Sequence, residues 1–209
     1  MKKSVGKTYV FIDASNLNYG GSKLLGWQID YEKFLKYLKA KYKCNKVCFY
    51  SGIFTYNFRY SNNSSDNFPI DKLVKYLELK LKSTFREEWL IVSSYLKKAV
   101  FLKKLEEFGY DLKLKPIKSI RTQTGRRLKA NCDIEICFEV MRNLNILNRI
   151  ILVSGDGDFE IVIKYCLERK IQVVILSNPK NTAMQIKKLF SKNYKSIQEI
   201  RSSIERKQK

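Results

Sequence analysis

Two short runs of consecutive apolar residues frame the chain. One is Tyr9–Ile12; the other is Ile150–Val153. An unbroken apolar run with β-branched residues predicts a strand covered on both faces. Similar patterning predicts strands at Lys46–Ile53, at Gln172–Leu176 and, nearer a sheet edge, at Tyr110–Pro116. Between them the apolar period changes to that of a helix. Ile29–Tyr42 carries Phe34, Leu35 and Leu38 on one side, with Asp30 as its cap. Further helices are expected at Pro69–Ser83 and, as one or two pieces closed by Gly109, at Trp89–Phe108. Cys132–Leu144 is read with Ile134, Cys137, Phe138 and Met141 as its buried stripe. Phe159–Arg169 and Asn181–Phe190 complete the set, the last capped by Asn181. Tyr56–Phe68 and Ser119–Asn131 read as loops.

Strands alternating with helices define an α/β class with a mainly parallel sheet and right-handed crossovers. The expectation is one domain over residues 1–209, with a helical elaboration at about 56–108 and a basic tail from about 198. No internal repeat and no linker divides the chain.

Charge and residue usage narrow the chemistry. The chain has 41 Lys+Arg against 20 Asp+Glu, a net charge of +21, which favours a polyanionic partner, nucleic acid before membrane. Part of the lysine excess reflects solvated helix faces and base composition. There is no histidine, which removes Ser-His-Asp and Cys-His chemistry and histidine metal sites together. The five cysteines lie at Cys44, Cys48, Cys132, Cys137 and Cys166, with no zinc-site spacing, and are read as reduced small hydrophobes. No apolar run approaches the roughly 20 residues of a membrane span. A soluble cytoplasmic protein is expected.

The apolar runs end in acids. Tyr9–Ile12 runs into Asp13, with Asn16 three residues on, and Ile150–Val153 runs into Ser154-Gly155-Asp156-Gly157-Asp158. Asp133 opens the helix that leads into the second run. A helix cap or an Asx turn accounts for any one of these acids. It does not account for two acids and a serine within five residues after a buried strand, with the pattern repeated at Asp13. Crevices at the carboxyl ends of strands hold ligands in open α/β sheets. Gathered carboxylates repel one another, and a hard divalent ion, Mg²⁺ or Mn²⁺, resolves that conflict.

Asp13-Ala14-Ser15-Asn16 after a strand, Asp133-Ile134-Glu135 opening a helix, and Ser154-Gly155-Asp156-Gly157-Asp158-Phe159 together resemble the NYN domain, of the PIN-like nuclease superfamily, in its bacterial LabA-like branch. The resemblance covers about Tyr9 to Ile197 and is weak through Tyr56–Phe108. It implies a three-layer PIN-like fold with strand order 3-2-1-4-5. It implies Asp13, Asp133, Asp156 and Asp158 as catalytic, metal-binding acids, with Asn16 and Ser154 steadying them or contacting phosphate. The family's Lys-Gly pair before the helix acid is replaced here by Lys129-Ala130, and Glu139 stands where Asp is common.

The function expected is a Mg²⁺- or Mn²⁺-dependent ribonuclease, with RNA expected as the substrate ahead of DNA. Arg121, Arg126, Arg127 and Lys129 are expected to hold its backbone, and Tyr56, Phe58 and Tyr60 to stack bases or simply pack. The alternative is a nucleic-acid-binding regulator without turnover on the same fold. A small-molecule phosphohydrolase fits the large positive charge poorly. Whether the chain forms a homodimer is left open.

Overall fold

The structure, a computed structural model, describes residues 6–19, 25–60, 68–122 and 125–207. They divide into two compact units: Met1–Tyr50 with Cys132–Lys209, and Ser51–Asn131.

The first unit is built on parallel strands. β1 (Lys7–Asp13) pairs with β2 (Lys46–Ile53) on one side. On the other side it pairs with β6 (Leu147–Val153). β6 pairs with β7 (Gln172–Ser177), and β7 with the three-residue β8 (Tyr194–Ser196). With β3 (Asp111–Pro116), the sheet order is β3-β2-β1-β6-β7-β8. This is the expected order with one more edge strand after the fifth. Val10, Phe11 and Ile12 are each 0% exposed, so both faces of β1 are covered, as its unbroken apolar run requires. One face carries a core of Phe11, Cys48, Ile150, Leu152 and Ile175 packed with Ile136, Val140, Phe159, Ile163 and Cys166.

α1 (Ala14–Tyr19) starts directly at the end of β1. α2 (Tyr31–Tyr42) buries Phe34, Leu35 and Leu38, and Asp30 caps it by accepting from the Lys33 N–H at 3.0 Å. α5 (Asp133–Arg142) leads into β6, and α6 (Glu160–Glu168) follows it. α7 (Met184–Leu189) follows β7, and α8 (Arg201–Ile204) closes the described chain.

The stripe expected on α5 is corrected. Ile134, Phe138 and Met141 are exposed, at 80%, 63% and 44%, while Ile136, Glu139 and Val140 are buried. The helix carries apolar residues on two faces at helical spacing, and the smaller set faces the sheet. Glu139 is accommodated by Arg142 at 2.6 Å, Lys46 at 3.8 Å and the Asn143 side chain.

In the second unit α3 (Ile70–Ser83) packs on α4 (Arg86–Phe108), a single helix rather than two. Lys103 and Asp71 join them at 2.5 Å. Gly109, at φ 102°, ends α4 in the left-handed region that suits glycine, and its N–H donates to the Glu106 carbonyl. The segment read as a basic loop is instead an antiparallel hairpin, β4 (Lys118–Thr122) with β5 (Gly125–Lys129). Tyr56, Phe58 and Tyr60 take up the packing role: Phe58 lies 5.9 Å from Tyr60 and 5.4 Å from Tyr76, and Tyr56 lies 6.4 Å from Tyr95.

Among the described residues no helix is long and apolar enough to cross a membrane.

Candidate metal centre

All four candidate acids belong to the first unit. Asp13 is the last residue of β1, Asp133 the first of α5, and Asp156 and Asp158 lie in the turn from β6 to α6. β1 and β6 are adjacent, with Ile12 beside Val153, so their carboxyl ends open at the same place.

Asp133, Asp156 and Asp158 converge. Each offers a carboxylate oxygen, and the three oxygens lie within 4.8 Å of one another. Asp133 and Asp156 are half-buried and Asp158 is exposed, so the cluster opens to solvent on one side. Among the described residues no lysine or arginine pairs with Asp156 or Asp158. One turn along α5 from Asp133 is Cys137. Burial pushes its thiol up, and the Asp133 carboxylate adds to the shift. Burial, with Cys137 adding, pushes the Cys166 thiol of α6 up to about 11.

Asp13 has other partners. It is buried, and its Oδ1 accepts from the Ser15 N–H (2.9 Å), the Ser15 hydroxyl (2.6 Å) and the Asn16 N–H (3.3 Å). Its Oδ2 accepts from the Ser154 hydroxyl at 3.2 Å. The same Ser154 oxygen accepts from the Asp156 N–H at 3.2 Å. Asp13 therefore stands outside the group of three and reaches it through Ser154. Its bonds to Ser15 and Asn16 are those of an Asx turn. Asp156 likewise closes a turn, accepting from the Asp158 N–H at 3.0 Å. The capping role and the clustering coexist, because a carboxylate has two oxygens and about four lone-pair directions.

Asn16 and Ser154 act on protein atoms here. The Asn16 Oδ1 accepts from the Gly155 N–H at 2.9 Å, and its carbonyl accepts from the Asn181 side-chain amide at 3.2 Å. Asn181 is thus not the cap expected of it. α7 begins three residues later, with Ala183 at the cap position. The segment from Asn178 to Ala183, in which sequence reasoning read only Asn181, as a cap, backs the acid turn. The Ala183 N–H donates to the Gly155 carbonyl at 2.9 Å, and Thr182 is pinned by the Asn178 carbonyl and the Ser177 hydroxyl, both at 2.7 Å. A Cβ on Gly155 would meet the Thr182 Cα at 2.8 Å and the Asn181 carbonyl at 3.1 Å. The two glycines around Asp156 were the only sequence sign of such close packing.

Arg121, Arg126, Arg127 and Lys129 lie on the β4–β5 hairpin of the second unit, with Arg121 opposite Arg126. Their side chains lie outside the described part of the structure.

The donor set fits a hard divalent cation. It consists of carboxylate oxygens, with no lysine of the described residues paired to Asp156 or Asp158, and it is open on one side to solvent. Asp133, Asp156 and Asp158 would hold the ion, and the Asp13–Ser154 and Asn16–Gly155 links would hold those acids in place.

Comparison with known proteins identifies the family. The NYN domain model matches residues 7–196. The chain is 30% identical over 105 residues to the Low amplitude and bright protein LabA of Synechococcus elongatus, a match covering 49% of this chain and 56% of that protein. The chain thus spans little more than half the length of that curated relative. In structure it is similar to a Vibrio parahaemolyticus protein of unknown function, with a TM-score of 0.61 at 20% identity over 93% of this chain and 96% of that one. The bacteriophage T5 flap endonuclease, solved with DNA and metal ions, aligns with a TM-score of 0.44 at 13% identity over 88% of this chain and 61% of that one. The chain belongs to the NYN domain family, whose model spans most of its length.

Proposed function

We propose that the protein is a metal-dependent nuclease that hydrolyses RNA phosphodiesters with Mg²⁺ or Mn²⁺ at Asp133, Asp156 and Asp158. The observation that carries this is the convergence of three carboxylates within 4.8 Å on an NYN-family frame. A bound ion there would lower the pKa of a coordinated water and offset charge on the phosphodiester. The chain's own part is to keep the acids close. Asp156 is fixed by its turn with the Asp158 N–H, and Asp13 braces the frame through Ser15, Asn16 and Ser154. The net charge of +21 and the arginines of the β4–β5 hairpin would hold a polyanion.

One observation favours a second reading, a nucleic-acid binder without turnover. Asp13 accepts four hydrogen bonds from protein donors and is not gathered with the other three. The two readings separate in one experiment. Labelled single-stranded RNA and DNA are incubated with Mg²⁺, Mn²⁺ or EDTA, using wild type and Asp156→Asn. A nuclease cleaves only with metal, and Asp156→Asn loses at least a hundredfold in rate while still binding. Cleavage by purified Asp156→Asn at the wild-type rate would refute the assignment. Binding without cleavage by wild type would select the regulator. The hairpin is tested separately: Arg126→Glu with Arg127→Glu should weaken RNA binding and flatten its salt dependence.

A further inference from the structure

One polar side chain beside the acid turn has no part in the proposal so far. Gln185, the second residue of α7, is exposed. Its carboxamide lies directly against Gly157, the residue between Asp156 and Asp158. A Cβ built on Gly157 would collide with the Gln185 Nε2, and would stand 3.0 Å from its Cδ and 3.4 Å from the Ala183 Cβ. Among the described residues, the Gln185 amide makes no hydrogen bond. Its backbone is nonetheless fixed. Ile186 beside it is fully buried, Ala183 is bonded to Gly155, and Asn181 is bonded to Asn16.

A carboxamide against Gly157, between Asp156 and Asp158 in the chain, has a specific chemical use. It offers two N–H donors and one acceptor and carries no charge. A lysine in this position would pair with Asp156 or Asp158 and compete with a cation. A third acid on the turn would repel a phosphate. A neutral donor does neither, and it can bond an anionic oxygen that approaches the cluster from solvent.

We propose that Gln185 is a substrate-positioning residue, donating from Nε2 to a non-bridging oxygen of a nucleic-acid phosphodiester seated at the Asp133–Asp156–Asp158 cluster. The assignment rests on the nuclease reading of that cluster. It goes further in naming the group that orients the phosphate. It also gives Gly157 a role: absence of a side chain there lets the amide reach the turn.

The test uses the full chain as wild type, Gln185→Ala and Gln185→Glu. Affinity for a fluorescein-labelled single-stranded RNA is measured by anisotropy in Ca²⁺, alongside Mn²⁺ affinity and thermal midpoint for each protein. Gln185→Ala should bind the RNA about tenfold more weakly, the effect of losing one hydrogen bond to a charged oxygen. Gln185→Glu should bind more weakly still, by repulsion. Mn²⁺ affinity and thermal midpoint should stay at wild-type values in Gln185→Ala, because the residue is exposed and ligates nothing. Equal RNA affinity of wild type and Gln185→Ala overturns the assignment. So does a loss of RNA affinity that runs in parallel with lost Mn²⁺ affinity or a lowered midpoint, because the residue would then be holding the turn. Metal-dependent cleavage is scored separately on the wild type. If it is absent, the nuclease reading falls, while the binding comparison still decides whether Gln185 touches the phosphate.

Discussion

Replacing Asp156 with asparagine should make the metal-free protein more stable and the metal-loaded protein less so, relative to wild type. Asparagine keeps the size of the side chain and an oxygen that accepts the Asp158 N–H, now at 3.0 Å. What it removes is one charge among three whose oxygens lie within 4.8 Å. Two unit charges at that separation repel by about 0.9 kcal/mol in a water-like dielectric and by about 3.5 kcal/mol at an effective dielectric near 20. Asp158 is exposed and Asp156 half-buried, so the lower figure is the better guide. With two neighbours, neutralising Asp156 relieves about 2 kcal/mol. For a chain of this length that raises the thermal midpoint by about 4–8 °C. A cation reverses the order. An ion at a hundred times its dissociation constant stabilises wild type by about 2.7 kcal/mol, and the variant, with one ligand charge fewer, gains less. The assay is thermal unfolding of both proteins in EDTA and across a Mg²⁺ or Mn²⁺ series. The expected result is a crossing of the two midpoints. A wild type more stable than the variant in EDTA, or an equal response of both to metal, would refute the electrostatic argument, whatever the cleavage assays show.

Two other substitutions test the frame. Gly155→Ala places a methyl group 2.8 Å from the Thr182 Cα, and overpacking against backbone should cost about 2–3 kcal/mol, read as a lowered urea midpoint at unchanged slope. Lys98→Met should stabilise the protein at neutral pH by on the order of 1 kcal/mol, because burial lowers the pKa of the amine and no carboxylate among the described residues pairs with it. The Phe101 ring, 5.4 Å away, offsets part of that cost in the wild type. As pH rises through the lowered folded-state value toward about 10.4, the folded amine loses its proton before the unfolded one. Wild-type stability then rises, and the advantage of methionine should shrink across that alkaline window, which paired urea titrations at several pH values would show.

What the sequence disclosed depended on whether a local pattern had one physical solution. Ile150–Val153 has no polar position to face water, so it had to be a covered strand, and the acids after it had to lie at a strand end. Asp30 before an amphipathic run, and Gly109 after one, had similarly few alternatives. α5 had two. Ile134, Phe138 and Met141 form as good a stripe as Cys132, Ile136 and Val140, and the Lys46 partner that helps admit Glu139 to the buried side comes from a distant part of the chain. The hairpin of β4 and β5 lacks apolar alternation and is defined by backbone pairing, to which side-chain patterning is blind. Asn181 has the chemistry of a cap and spends it on the Asn16 carbonyl, 165 residues away in the chain. The sequence grouped four acids by their places at or beside the ends of strands and helices, and the structure gathers Asp133, Asp156 and Asp158 of these. The different setting of Asp13 follows from Ser15 and Asn16, small donors placed right after it.

The surroundings of the two turn glycines differ in a way that bears on how this motif can vary among related chains. Neither glycine has a positive φ, so packing alone excludes a side chain. At Gly155 the obstacle is backbone, the Thr182 Cα and the Asn181 carbonyl. No exchange of a neighbouring side chain can make room, and the position is closed unless the whole Asn178–Ala183 segment is rebuilt. At Gly157 the obstacle is the far end of the flexible Gln185 side chain. A residue with a side chain can enter at 157 only when the one at 185 shortens or turns away, so a change at 157 carries with it a change in what the residue at 185 can reach. The motif Ser-Gly-Asp-x-Asp-Phe, with its second residue fixed and its fourth open, is the form that this difference in obstacles would leave in a lineage.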